Sequence, residues 1–279
     1  TKNEVMYSRQ KRYLGYLIMG IIATLIATIL SRNESKNQTH PRDYEEIERS
    51  GILKVVTEYN SLSYFVDGDT ISGFQYELIK AFAHDKGLKM KITPEMSFEK
   101  RLEGLNHGVY DIIAYNILVT SELKDTIALT RPIILNKQIL VQRKGDNKDS
   151  TYISNQLELA HKTLNVIKGS PSILRIRNLS NEIGDTIYVN EIDKYGSEQL
   201  LAMVAHGDID YAVCDESIAK ACIDSLPQLD INTDISFTQF YAWGISKQSP
   251  ALLDTLNNWL KNYTATKEYK KLYKKYYKD

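Results

Sequence analysis

The chain has 279 residues, with 35 Lys+Arg against 35 Asp+Glu and a formal net charge of +0 at pH 7. That balance excludes a nucleic-acid partner held by bulk electrostatics, and 43% hydrophobic with 25% charged residues is a globular composition rather than a disordered one. Two cysteines are too few for a disulfide scaffold, and neither a C-x-x-C pair nor a clustering of the five histidines marks a metal site, so no cofactor is expected.

Residues 14–30, LGYLIMGIIATLIATIL, carry no charge. Lys2, Arg9, Lys11 and Arg12 stand before them, and a polar stretch follows. A basic flank, an apolar run and a polar exit form an export signal. The run exceeds the roughly 7–15 residues of a cleaved signal core and approaches the about 20 of a spanning helix. No small-x-small cleavage site follows closely, which favours an uncleaved signal anchor over a cleaved signal peptide. The basic flank would keep the N-terminus cytoplasmic and place the remaining chain outside the inner membrane.

Beyond residue 43, short apolar runs alternate with amphipathic segments. Residues 44–50 read as a helix closed by Gly51, and 53–58 (LKVVTE) as a strand. After Gly73, helical spacing of Phe74, Leu78, Ile79, Phe82 and Ala83 predicts a helix ending near Gly87. Strands follow at 88–92, 111–115 and 138–142, with a helix over 98–106. After the polar loop 145–150 the same grammar restarts. Strands are expected at 163–167, 186–189, 209–214 and 243–246, and helices from 172, over 197–206, and at 252–263 and 266–277. Alternating strands and helices imply α/β architecture with mostly parallel sheets. Two successive sets suggest two lobes, with a ligand cleft between them at the carboxyl ends of strands.

Four blocks resemble the extracellular solute-binding proteins of family 3. They are GFQYELIKAFAHDKGLKMKI, FEKRLEGLNHGVYDIIAYNILVTSE, LLAMVAHGDIDYAVCDES and LNNWLKNYTATKEYKKLYKKYY, spread in order from about Tyr44 to Asp279. YNSLSYF at 59–65, FQYELIKAFA at 74–83 and FYAWGISK at 240–247 are most similar to the N-terminal sensor module of membrane-bound lytic murein transglycosylase F, a family that joins this module to a catalytic domain. The resemblance implies a two-lobed type 2 periplasmic-binding fold. Its expected divisions are a signal anchor or signal peptide at 1–31, a linker at 32–43, a first lobe at 44–141 and 238–279, and a second lobe at 142–237.

The resemblance also implies site residues. In amino-acid-binding members an Arg three residues after the Thr of the first-lobe block clamps the ligand carboxylate, by bidentate pairing. Here Leu123 holds that place after Thr120, which puts free α-amino acids in doubt. Asp215 matches the second-lobe carboxylate that takes a ligand ammonium; its alternative is to cap the following helix. Gly169 and Ser170 match a turn that holds an anionic group at a helix start, and Ser172 could extend it. Arg175 could replace the missing clamp, or lie with Arg177 on a solvated helix face. Tyr115 and Asn116 end a buried strand where the family presents polar side chains. Tyr59, Asn60 and Tyr64 follow the first strand, where it places aromatic contacts, with packing inside one lobe as the alternative. Trp243 is expected in the core, Cys214 and Cys222 as small core residues, and the Lys-rich C-terminal helix as a lobe-packing element.

The expected function is a periplasmic, membrane-anchored binding or sensor protein, not an enzyme, that closes on a small amine-bearing, peptide-like or murein-derived ligand. The alternative is a receptor that delivers amino acids or related solutes to an ABC importer. Expected partners are the ligand, the inner membrane and either an ABC permease or a separate cell-wall enzyme.

Overall fold

A computed structural model describes residues 40–145 and 151–277. The expected signal anchor lies outside the described residues, and among those described no helix is long and apolar enough to cross a membrane.

The first sheet is built from β1 (Ile52–Thr57), β4 (Lys89–Pro94), β5 (Ile112–Leu118), β6 (Ala128–Leu129), β7 (Ile134–Asn136) and β13 (Gln239–Ile245). Its order is β4-β1-β5-β13-β6, with β7 also paired to β13. A separate hairpin joins β2 (Phe65–Asp67) to β3 (Thr70–Ser72). The second sheet is built from β8 (Gln138–Arg143), β9 (Thr163–Ile167), β10 (Tyr188–Ile192), β11 (Ala212–Asp215) and β12 (Leu229–Asp234), in the order β10-β9-β11-β8-β12.

The helices are α1 (Tyr44–Ser50), α2 (Phe74–Asp85), α3 (Phe98–Asn106), α4 (Ser121–Thr126), α5 (Ser172–Ile183), α6 (Ser197–His206), α7 (Glu216–Cys222), α8 (Pro250–Tyr263) and α9 (Lys267–Tyr276). Their starts follow from local chemistry. Ser97 Oγ accepts the Lys100 N–H at the head of α3, and Thr266 Oγ1 accepts that of Tyr269 at the head of α9. Asp43 serves two helices at once: its carboxylate accepts Tyr44 N–H in α1 and Leu252 N–H in α8.

The expected α/β class holds, but the sheets are mixed rather than mostly parallel. β1 pairs β4 and β5 in parallel, and β9 pairs β10 and β11 in parallel. β13 runs antiparallel to β5, and β8 runs antiparallel to both β11 and β12. The reason is connectivity. The chain crosses from the first sheet to the second between β7 and β8, and returns between β12 and β13, so each crossing strand enters a sheet against the βα grain. The expected first-lobe boundary at 141 falls inside β8, which pairs only within the second sheet; the crossing is at Lys137. β2, β3, β6 and β7 are too short to show a period of two, and β12 (LDINTD) is too polar to read as a strand.

The two crossings are bonded to each other. Gln138 N–H donates to Ser236 Oγ at 2.9 Å, and Gln138 O accepts Ile235 N–H at 2.9 Å. Lys137 Nζ pairs with Asp234 at 2.7 Å. Packing divides along the sheets: one core gathers Phe74, Leu78, Phe82, Trp243, Leu256 and Leu260, while Leu140, Leu164, Ile176 and Val213 fill a second-sheet core. The C-terminal helix α9 packs on α2 as expected. Phe74 meets the rings of Tyr269, Tyr273, Tyr276 and Tyr277 edge-on at 4.8–6.5 Å.

Candidate ligand cleft

The carboxyl ends of β1, β5, β9 and β11 face a cavity of ≈ 60 Å³ between the two sheets. Its wall takes Glu58, Arg101 and Tyr115 from the first-sheet side, Ser170, Ser172 and Asp215 from the second, and Gln138 and Tyr241 from the crossing strands. Among the contacts that span the lobes beside it, Ser61 N–H donates to Glu198 Oε1 at 2.7 Å, and Lys168 lies 3.9 Å from Glu99.

Asp215 ends β11 and stands at the cap position of α7, yet its side chain makes no cap hydrogen bond. It turns instead into the cavity, where its Oδ1 accepts the Tyr241 hydroxyl at 2.9 Å and the Gln138 amide N–H. The Gln138 side-chain Oε1 in turn accepts the Ser172 hydroxyl, and Ser170 donates to Ser172 at 2.9 Å. Burial pushes the Asp215 carboxyl up from 3.8 to about 7; the Tyr241 and Gln138 hydrogen bonds oppose this, and the nearby Glu58 charge adds to it.

Glu58, just past β1, is buried and pairs with Arg101 at 3.1 Å. Burial raises its carboxyl, against the pull of Arg101, Asn60 and Tyr115. Arg101 lies on the inner stripe of α3, 2% exposed, with its guanidinium 4.6 Å from the Tyr115 ring centre. The Tyr115 hydroxyl is raised well above its ordinary range by burial, then by Glu58 and Asp215. Arg101 is the one cation among the residues that line the cavity.

The structure brings five of the ten sequence-predicted residues to the cavity wall: Tyr115, Asn116, Ser170, Ser172 and Asp215. Gly169 stands at φ +70° just behind, in the left-handed region that the turn requires, and its N–H meets Glu191. The other four do not line it. Arg175 is not a clamp: its guanidinium bonds Glu182 at 2.6 Å and the Ile235 carbonyl at 2.7 Å, both outside the cavity. Tyr59 and Tyr64 pack edge-on within one lobe at 6.1 Å. Asn60 accepts the Leu62 and Ser63 N–H groups, holding the turn, and donates to Glu58 at 3.2 Å; it positions Glu58 instead of facing ligand. Asn116 Oδ1 accepts the Gln75 amide at 2.6 Å, and its Nδ2 donates to Tyr277. Leu123, in α4, packs against the cluster of Phe98, Ile113 and Ile117 and is not on the wall.

Arg101, Gln138 and Tyr241 were missed as site residues. For Arg101 a signal existed: Phe98, Arg101 and Leu105 repeat at helical spacing on the buried face, and a charge on an apolar stripe needs a partner. Gln138 and Tyr241 gave none, because their roles depend on two distant crossings. Trp243 is fully buried and donates to Gln75 at 2.5 Å. Cys214 and Cys222 are free buried thiols in one apolar cluster. Among the described residues no group of His, Cys, Asp and Glu is placed to hold a metal ion.

A cleft between two mixed α/β sheets joined by two crossings is the architecture of a solute-binding protein. The chain belongs to the bacterial extracellular solute-binding proteins, family 3, whose family model matches residues 53–279. Among curated proteins it is similar to the membrane-bound lytic murein transglycosylase F of Photobacterium profundum, 26% identical over 207 residues, covering 74% of this chain and 40% of that protein. The protein of the same name from Yersinia pestis (strain Pestoides F) is 27% identical over 232 residues, covering 82% and 46%. The chain thus spans under half the length of these relatives. Among solved structures, an ancestral arginine-binding protein bound to arginine matches with TM-score 0.71 at 25% identity, over 82% of this chain and 99% of that one. An ancestral amino acid-binding protein, a precursor of cyclohexadienyl dehydratase, matches with TM-score 0.71 at 25% identity, over 84% and 99%.

Proposed function

We propose that the chain is a periplasm-facing binding sensor that closes on a small amine-bearing ligand, peptide-like or murein-derived, with Asp215 holding the ammonium group. The observation that carries this reading is the Asp215 carboxylate, which faces the cavity instead of capping α7 and, among the described residues, has no side-chain cation bonded to it. Arg101 is already matched by Glu58, so the ionised wall carries one negative charge in excess. A buried charge without a partner is costly, and a ligand cation supplies that partner. The absence of Arg at 123 supports a ligand other than a free α-amino acid. The resemblance to murein transglycosylases supports a cell-wall setting, anchored to the inner membrane through residues 14–30 and acting with a separate or adjoining cell-wall enzyme.

A second reading, a receptor delivering amino acids to an ABC permease, is favoured by the arginine-bound neighbour. Thermal unfolding of the full chain against free amino acids, short peptides and murein fragments separates the two. Ligand at ~100 times its Kd adds about 2.7 kcal/mol to stability. A rise in midpoint with peptides or murein fragments alone supports the sensor; a rise with free amino acids supports the receptor. Asp215→Ala should weaken the responding ligand more than about tenfold with the fold intact; unchanged affinity by calorimetry would remove Asp215 from the site.

A further inference from the structure

The Arg101–Glu58 pair stands in the wall of a small cavity, where the family position for a carboxylate clamp holds Leu123 on another surface. Arg101 Nη1 donates to the carbonyls of Glu95 and Met96 at 2.5 and 3.2 Å, and Nη2 donates to Glu58 Oε2 at 3.1 Å. Its Nε–H is buried and has no acceptor. A buried guanidinium donor without a partner costs free energy, and a bound acceptor recovers it.

The charge of that acceptor follows from Glu58. Both members of the pair are at most 4% exposed, so Arg101 is already neutralised inside the protein. A ligand carboxylate would have to share Arg101 with Glu58, placing two anions against one buried cation. A neutral carbonyl oxygen accepts the Nε–H without that repulsion. Arg101 and Asp215 line the same cavity, with the Tyr115 ring beneath the Arg101 guanidinium.

Resting on the reading of Asp215 as the ammonium site, we propose that the Arg101–Glu58 pair sets specificity: Arg101 Nε–H receives a neutral amide carbonyl beside the amine, so the cleft prefers aminoacyl amides, as at a peptide N-terminus, to free amino acids. Glu58 is then a selecting residue, there to reject a second anion.

The test uses the full chain and three small probes, L-alaninamide, L-alanine and N-acetyl-L-alaninamide, titrated by calorimetry. L-Alaninamide should bind at least about tenfold tighter than L-alanine, the discrimination expected when one probe brings an unmatched charge. Glu58→Gln frees the Arg101 cation, and should reverse or erase that preference by strengthening L-alanine. Equal affinity for amide and acid in the natural chain overturns the proposal, as does an unchanged ratio in a folded Glu58→Gln variant. If that variant fails to fold, the ratio in the natural chain decides alone. Binding of N-acetyl-L-alaninamide as tightly as L-alaninamide would instead overturn the Asp215 reading, and no binding of any probe would overturn both.

Discussion

Asp215 ionises near pH 7 in the folded chain and near 3.8 in the absence of burial. Between those values the folded state holds a proton that the unfolded state has released. Stability from this group is therefore greatest at the acid end, and is lost as pH rises through the window towards about 7. Glu58, also raised by burial, works in the same direction. The ligand-free midpoint should fall as pH rises from about 4 to about 7, and Asp215→Asn should flatten much of that slope; a scan at constant ionic strength checks it. Affinity for an amine should move the opposite way, rising with pH through the same window, because the ionised carboxylate holds the cation. One residue thus trades folding stability for binding, as groups with displaced pKa values at functional sites do.

At the scale of elements, the two crossing segments and α9 matter most. The strands that adjoin the crossings carry Gln138 and Tyr241, so the hydrogen bonds that orient Asp215 come from beside the crossings. Helix α9 closes the first lobe by burying Leu272 and surrounding Phe74 with tyrosine rings. Phe74→Ala should cost about 3–5 kcal/mol by urea unfolding, since a fully buried ring and its edge-on partners are lost together. The amphipathic stripe of α9 made its existence and packing face legible from residue spacing, with Tyr269, Leu272, Tyr273 and Tyr276 on one side and six lysines elsewhere along 267–278. The shortest strands of the first sheet, β6 and β7, were not legible in the same way. Two- and three-residue strands have no periodicity to read, and their partners lie about a hundred residues away, as with Tyr241 against Ile134.

For the whole molecule, the lobes meet beside the cavity through polar contacts and one close backbone approach. Ser61 and Glu198 link them at 2.7 Å. Gly196 adds close backbone approach: a Cβ there would stand 2.5 Å from Met96 Cε and 3.7 Å from Glu58 Oε1. A ligand that contacts both lobes shifts their open–closed balance by its differential affinity for the two states. Glu198→Gln should raise the ligand-free radius of gyration in small-angle scattering and weaken ligand about two- to tenfold, the effect of losing one charge-assisted hydrogen bond. No change in either would mean that this contact does not hold the lobes together.

Spacing and composition in the chain itself determined the alternation of helices and strands and the doubling of the α/β pattern, while the family resemblance implied Asp215, Ser172 and Tyr115, which lie on the cavity wall. The first two features are local: a helical stripe or an apolar run carries its meaning within a dozen residues. Only the tertiary structure decided that Arg101 and Glu58 neutralise each other, and that Gln138 and Tyr241 aim Asp215 into the cleft. Each of those depends on which partner a buried polar group meets 43 to 103 residues away along the chain, and the energetics of buried charge reside in that pairing.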